Sequence, residues 1–100
     1  MSMTIQYHEV IKRDGMRDRF DVIKIVNAIQ KAAWACGVEL DYELIRTDIT
    51  SKIERKIMEK PLKVDEIQDI VEEGLMKHYP QVAKSYILYR DMRNRERSKK

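Results

Sequence analysis

The dipeptide Asp14-Gly15 does most to constrain this chain, because it stands between two stretches, 5–13 and 16–20, that read as strands. An Asp-Gly pair in that setting is a strong hairpin signal: the turn needs a positive φ, and glycine adopts one without steric cost. Two registers are open. A two-residue turn puts Ile11, Met16 and Phe20 on one face. A three-residue turn with Gly15 as the bulge puts Val10, Lys12, Asp18 and Phe20 together.

Helical patterning takes over at Asp21, whose carboxylate can cap the free amides of a first turn. Val22, Ile25, Val26, Ile29, Ala32, Ala33 and Cys36 recur at helical spacing, and Gly37 is a natural stop. A second helix is expected from an Asp41 cap, with Ile45, Ile49, Ile53 and Ile57 as one ridge, Lys and Arg opposite, and Lys60-Pro61 as its end. Leu62-Lys63-Val64 reads as a short extended piece, a candidate third strand beside the hairpin. Asp65 followed by Gln68 resembles a capping box and opens a third helix with the stripe Ile67, Ile70, Val71, Leu75 and Met76. Pro80 suits the first position of a fourth helix, where Val82, Ala83, Tyr86, Ile87 and Tyr89 face the core. Trp34 is expected to anchor helix one in the core or at an interface. The fold class is therefore α+β, a hairpin or three-stranded sheet packed on a helical bundle. It forms one domain over 1–100, with a core at about 9–90 and a polar helical tail at 91–100.

Composition narrows the function classes. At 43% hydrophobic and 37% charged residues, the chain can build a core under a charged surface, which a disordered chain cannot. No apolar run approaches the ~18 residues of a membrane span, and the Met-Ser-Met-Thr-Ile-Gln-Tyr-His start lacks a signal-peptide core. The single Cys36 excludes an internal disulfide and a multi-cysteine zinc site, and a buried apolar role is expected for it. These features together lead us to expect a cytoplasmic protein with no membrane association. A net charge of +3 favours anionic ligands without singling out nucleic acid.

No catalytic constellation is visible. His8 and His78 have no metal-ligand spacing, and no serine sits in a nucleophile elbow. Glycines at 15, 37 and 74 cannot form a glycine-rich phosphate loop, so a nucleotide site must use side chains. Lys12, Arg13, Asp14, Arg17, Asp18, Arg19, Asp21 and Lys24 concentrate charge in one segment. Lys12, Arg13 and Lys24 can converge on a triphosphate, Lys24 near a helix N-terminus that already favours anions. Asp18 or Asp21 can accept a hydrogen bond from the exocyclic amine of adenine, which guanine does not present there. Val10, Phe20 and Ile25 can wall a flat base.

The run Val10-Ile-Lys-Arg-Asp-Gly-Met-Arg-Asp-Arg-Phe-Asp-Val-Ile-Lys-Ile25 resembles the signature of the ATP-cone family, and so do Val64-Asp-Glu-Ile-Gln-Asp-Ile-Val-Glu72 and Val82-Ala-Lys-Ser-Tyr-Ile-Leu-Tyr-Arg90. The three stretches cover roughly 9–90 in the right order and spacing; the third looks most like the cones of anaerobic reductases or of related repressors. The resemblance implies a three-stranded mixed sheet capping a four-helix bundle, with ATP or dATP bound between sheet and helices, with Mg. Lys12 and Arg13 match the phosphate-contacting pair, and Lys24 the family's helix-one lysine. Asp18 and Asp21 lie where the family reads adenine; Val10, Phe20 and Ile25 match the base pocket. Val64 and Gln68 stand where some members use threonine and histidine near the phosphates, and valine, unlike threonine, cannot donate a hydrogen bond. Arg90 is a further phosphate candidate. The resemblance also favours the bulged register.

The implied function is allosteric control of ribonucleotide reductase activity by adenine nucleotides. Its expected partners are a reductase catalytic domain or subunit and, for some cones, further copies of itself. The module is expected not to be an enzyme and to need no catalytic cofactor; it is either part of a reductase or free-standing. The alternative is a nucleic-acid-associated regulator of reductase genes. In such repressors a cysteine-rich zinc ribbon precedes the cone, whereas no cysteine stands before Val10 here.

Overall fold

The computed structural model describes residues 8–98, and side chains as far as Met92. Residues 5–7 of the expected first strand, and the charged side chains of the tail at Arg93, Arg95, Arg97, Lys99 and Lys100, lie outside that description. Among the described residues the sheet has three strands in the order β2-β1-β3: β1 (Glu9–Ile11), β2 (Arg17–Arg19) and β3 (Leu62–Lys63). β1 pairs antiparallel with β2, with Val10 opposite Asp18, and parallel with β3, with Val10 opposite Leu62. The bulged register is thus the one adopted. Lys12 N donates to Met16 O at 2.8 Å, Gly15 N donates to Lys12 O at 2.9 Å, and Gly15 takes φ 84°. The two-residue alternative fails because it would turn Met16 inward, and Met16 is exposed.

Helix α1 (Val22–Ala35) starts where the sequence reading put it: Asp21 Oδ1 accepts from Ile23 N at 3.0 Å. Its end is a Schellman motif. Gly37, at φ 68°, donates to Trp34 O at 3.2 Å, and Val38 N donates to Ala33 O at 3.0 Å. Trp34 does not enter the core; it is 69% exposed. Cys36 is half-buried, with Sγ 3.3 Å from Ala32 O.

The second helix, α2, is not uniform. An α-helical turn, Tyr42–Ile45, capped by Asp41, passes into a π-helical segment, Arg46–Thr50, and then into α-helix again, Ser51–Glu59. The isoleucine ridge gives the reason. Side chains four apart drift about 40° per step on an α-helix, because 3.6 residues make a turn. Three such steps would carry Ile57 well away from the face of Ile45. One π turn, with its wider i→i+5 winding, takes back most of that drift. All four isoleucines are buried as a result.

α3 (Val64–His78) follows β3 without a break, and α4 (Pro80–Ser98) begins at Pro80 as expected. The capping box does not form. The N-cap is Lys63 and has no side-chain bond, while Asp65 and Gln68 turn to the hairpin instead. The strand-to-helix junction is one residue earlier than the sequence suggests, because Leu62 and Lys63 are already fixed by pairing with β1. Met76, expected in the stripe, is 51% exposed. Gly74 is buried there instead, and Ile67, Val71 and Leu75 complete the buried face. From α4, Val82, Ala83 and Tyr86 are buried, whereas Ile87 and Tyr89 are half-buried. Burial pushes the Tyr86 hydroxyl up to about 12. Between helices, Tyr79 Oη accepts from Asp41 N at 2.9 Å, and His78 Nε2 bonds Asp48 Oδ2 on the π segment. That bond, ahead of the charges of His78, Lys77 and Lys52, holds the Asp48 carboxyl below the usual carboxylate range. Among the described residues, no helix is long and apolar enough to cross a membrane.

Gly74 lies where α3 presses on the π segment. A Cβ placed there would overlap Ile49 Cγ1 and stand 2.9 Å from Ile49 Cδ1. Ile49 is 1% exposed, so its side chain must shift within the packed core to make room. A mid-helix glycine replaced by alanine ordinarily gains up to ~1 kcal/mol. Here overpacking opposes that gain, and Gly74→Ala is expected to lower stability by about 1–2 kcal/mol net. Urea midpoints of the two proteins check this; a higher midpoint for the variant would show that the helices separate without cost.

Candidate functional site

The hairpin, α1 and the start of α3 enclose an open cleft of about 500 Å³. Sequence order alone would not bring these parts together. The parallel β1–β3 pairing does so, by seating the first residue of α3 beside Lys12. Of the residues singled out in the sequence, Val10, Lys12, Asp18, Phe20, Asp21, Lys24, Ile25 and Val64 all line this cleft. Strand alternation accounts for the hairpin members: even-numbered positions of β1 and β2 share one face in the bulged register. Helical spacing accounts for Asp21, Lys24 and Ile25, the cap and first turn of α1.

The cleft has a polar rim and an apolar wall. Lys12 Nζ lies 3.6 Å from Asp18 Oδ2, both side chains about half exposed. The Asp18 carboxyl is held below the usual carboxylate range, first by the hydrogen bond from Arg19 N to Oδ1 at 2.8 Å, then by the Lys12 charge, with Lys24 adding to it. Asp18 is therefore an ionised acceptor at neutral pH and a weak base. Asp21 Oδ1 is engaged by the Ile23 amide. Val10, Phe20 and Ile25 are half-buried and pack against the core.

Three of the expected residues are placed elsewhere. Arg13, at the hairpin tip, reaches α3: Nη2 is 2.9 Å from Asp65 Oδ1 and 3.4 Å from Gln68 Oε1. Gln68 serves that contact outside the cleft lining. Arg90 is turned away, paired with Glu72 on α3 and, at 3.5 Å, with its neighbour Asp91. A glutamate one α3 turn beyond Gln68 takes the guanidinium that the sequence reading offered to phosphate.

Other lining residues were not anticipated: Arg19, Asn27, Ala28, Lys31, Ile67 and Tyr89. Asn27, Ala28 and Lys31 could have been found by extending the Lys24 face of α1 at three-, four- and seven-residue steps. Tyr89 could not, because it comes from α4 through tertiary packing. A smaller cleft of about 360 Å³ between α2 and α3 is lined by Asp48, Lys52, Lys56, Ile70, Glu73, Gly74 and Lys77. It is cationic but has no aromatic wall, so it offers a flat base no seat.

The ATP cone domain family model matches residues 8–95. The anaerobic ribonucleoside-triphosphate reductase of Haemophilus influenzae is 40% identical over 95 residues, covering 91% of this chain and 13% of that protein. The vitamin B12-dependent ribonucleoside-diphosphate reductase of Thermoplasma acidophilum is 41% identical over 100 residues, covering 92% and 13%. The ribonucleoside-diphosphate reductase subunit alpha of Chlamydia pneumoniae is 39% identical over 101 residues, covering 91% and 10%. The chain thus spans 10–13% of the length of these relatives. The likeness extends across several kinds of reductase, the anaerobic kind among them.

Proposed function

This chain belongs to the ATP cone domain family, and on that premise we propose that it is a regulatory module that binds ATP or dATP in the hairpin–α1 cleft and thereby controls a ribonucleotide reductase. The observation that carries the reading is the meeting, in one cleft, of Lys12 and Lys24 with Asp18, Asp21 and a wall of Val10, Phe20 and Ile25. The lysines take the triphosphate, which arrives with Mg. The apolar wall takes the adenine ring, and Asp18 or Asp21 accepts from its exocyclic amine. Tyr89, Ala28 and Ile67 extend the wall, and Lys31 continues the cationic face of α1.

Control is by population shift in the cytoplasm. ATP and dATP favour different arrangements of the module relative to a reductase catalytic domain or to further copies of itself, and each ligand acts only through its different affinity for the two arrangements. The two ligands differ by one ribose hydroxyl, so discrimination comes from the seating of base and sugar together with assembly. The module itself turns nothing over.

Adenine selectivity tests the reading. Titration calorimetry should find ATP and dATP bound at least about tenfold more tightly than GTP, the value of one well-made polar discrimination of about 1.4 kcal/mol. Equal affinity for all of these triphosphates would reduce the cleft to a general anion patch.

A further inference from the structure

We propose that His78 and Asp48 form a proton-operated latch: with the imidazole protonated, the end of α3 locks the π segment of α2, and loss of the proton loosens it. His78 is the last residue of α3, and its Nε2 bonds Asp48 Oδ2 in the middle of the π segment Arg46–Thr50. Two residues of one α3 face meet two consecutive residues of α2. Gly74 stands against Ile49, and His78, four residues on, against Asp48. The wider π winding narrows the angle between consecutive side chains, so both can be presented to one partner. The next residue, Tyr79, holds the start of the same helix by accepting from Asp41 N at 2.9 Å. The α3–α4 corner thus grips α2 at its cap and at its π turn. The π-turn bond is the one that contains an imidazole, the side chain whose charge ordinarily changes between about pH 5 and 8.

The surrounding charges decide how firmly the protonated latch holds. On α2, Asp48 faces the imidazole directly, with Lys52 and Lys56 further along the helix. On α3, Lys77 adjoins it and Glu73 lines the same cleft. α4 opens with Pro80 and Gln81, which carry no charge. The end carbonyls of α3 attract a cation, as Asp48 does. The lysines repel it, but they are exposed and screened by solvent. Asp48 is in contact, and the His78 and Asp48 side chains are only 22% and 31% exposed. Attraction therefore outweighs repulsion. The Asp48 carboxyl, held below the usual carboxylate range first by this bond, stays ionised through the neutral range. Its own contribution is lost only as pH falls into the acid range. Between pH 6 and 8.5 the imidazole is thus the member of the pair that changes charge, and the latch is closed on the acid side and opens as pH rises. His78 lies about 21 Å along α3 from Val64, so the latch and the nucleotide reading stand or fall separately.

A double-mutant cycle tests the latch. His78→Gln, Asp48→Asn and the double variant are unfolded in urea beside the unaltered chain, at about pH 6 and about pH 8.5, either side of the ordinary imidazole range. The cycle cancels the other titrating groups, His8 included, and leaves the coupling between the two side chains. As a factor in the unfolding equilibrium constant, that coupling should be about three- to tenfold larger at the lower pH, the difference between a partly shielded charge pair and a neutral donor on the same carboxylate. Equal coupling at the two pH values would make the contact an ordinary hydrogen bond and overturn the proposal, as would no coupling at the lower pH. A second measurement needs no variant. The Ser51 amide donates to Arg46 O across the π turn. Followed by NMR through the same pH range, its resonance should move with the midpoint of the His78 ring. A Ser51 amide that stays in place while the ring titrates would also overturn the proposal, because the proton would then leave the winding of α2 unchanged.

Discussion

Saturating ATP is expected to raise the melting temperature of this chain by about 10–20 °C. A ligand that binds only the folded state stabilises it by RT ln(1 + [L]/Kd), about 2.7 kcal/mol at a hundredfold excess over Kd. For a domain near 100 residues, each kcal/mol shifts the midpoint by roughly 4–8 °C. The effect should be large because the cleft is assembled from parts distant in sequence. Lys12 and Phe20 come from the hairpin, Lys24 and Ile25 from α1, and Val64 from α3. Unfolding separates all of them, so the unfolded chain keeps no site. The nucleotide should also remain intact over hours. Asp18, the carboxylate nearest Lys12, is held below the usual carboxylate range and is a poor proton acceptor near pH 7. A melting scan beside a phosphate-release assay checks both halves. Steady release, abolished by one substitution in the cleft, would reveal a catalyst where a sensor is proposed.

The second large effect concerns the lysines. Lys12→Ala and Lys24→Ala are each expected to weaken triphosphate binding by about 1.5–3 kcal/mol, the range for hydrogen bonds to a charged group. The melting temperature without ligand should scarcely move, because exposed charges contribute little to stability. The Lys12 change acts twice: it removes a donor and leaves the Asp18 carboxylate uncompensated, facing the phosphates. Lys24 lies in the first turn of α1, where the helix dipole supports the same anion. The two losses should not add, since both lysines contribute to the low pKa of Asp18 and therefore share a field. Lys56→Ala, in the cleft between α2 and α3, is the control and should bind normally. Normal binding by both cleft variants, with loss in the control, would move the site to the other face.

Features governed by neighbouring residues were legible in the sequence. Asp21 and Asp41 cap the helices that follow them, and Gly37 ends α1, because a cap needs only its own turn. The hairpin was legible from Asp14-Gly15, but its register was not. Both turns suit that dipeptide, and packing of Val10 and Phe20 on the core decides between them. Asp65 misled because a carboxylate three residues before a glutamine reads as a cap, and the competing partner, Arg13, is contributed by the far end of a β-sheet. The π segment was hidden for a similar reason. A four-residue isoleucine repeat is compatible with a plain helix until its drift is set against a single flat partner, and the partner's contact at Gly74 is tertiary. Trp34 stayed outside because the small Ala32 and Ala33 already fill the buried face of that turn. The cleft was legible in its first two elements and, through the family resemblance, at Val64 of α3; Lys31 extends a known face, whereas Tyr89 depends on how α4 crosses α1.

The most direct measurement is an ATP titration of the isotopically labelled chain followed by amide chemical shifts. The largest changes are expected at Lys12, Phe20, Asp21, Ile25 and Val64, which surround the hairpin–α1 cleft. Lys52, Lys56 and Lys77, which line the cleft between α2 and α3, should stay near their free positions. Shifts concentrated on those three lysines, with the hairpin and the first turn of α1 unmoved, would contradict it.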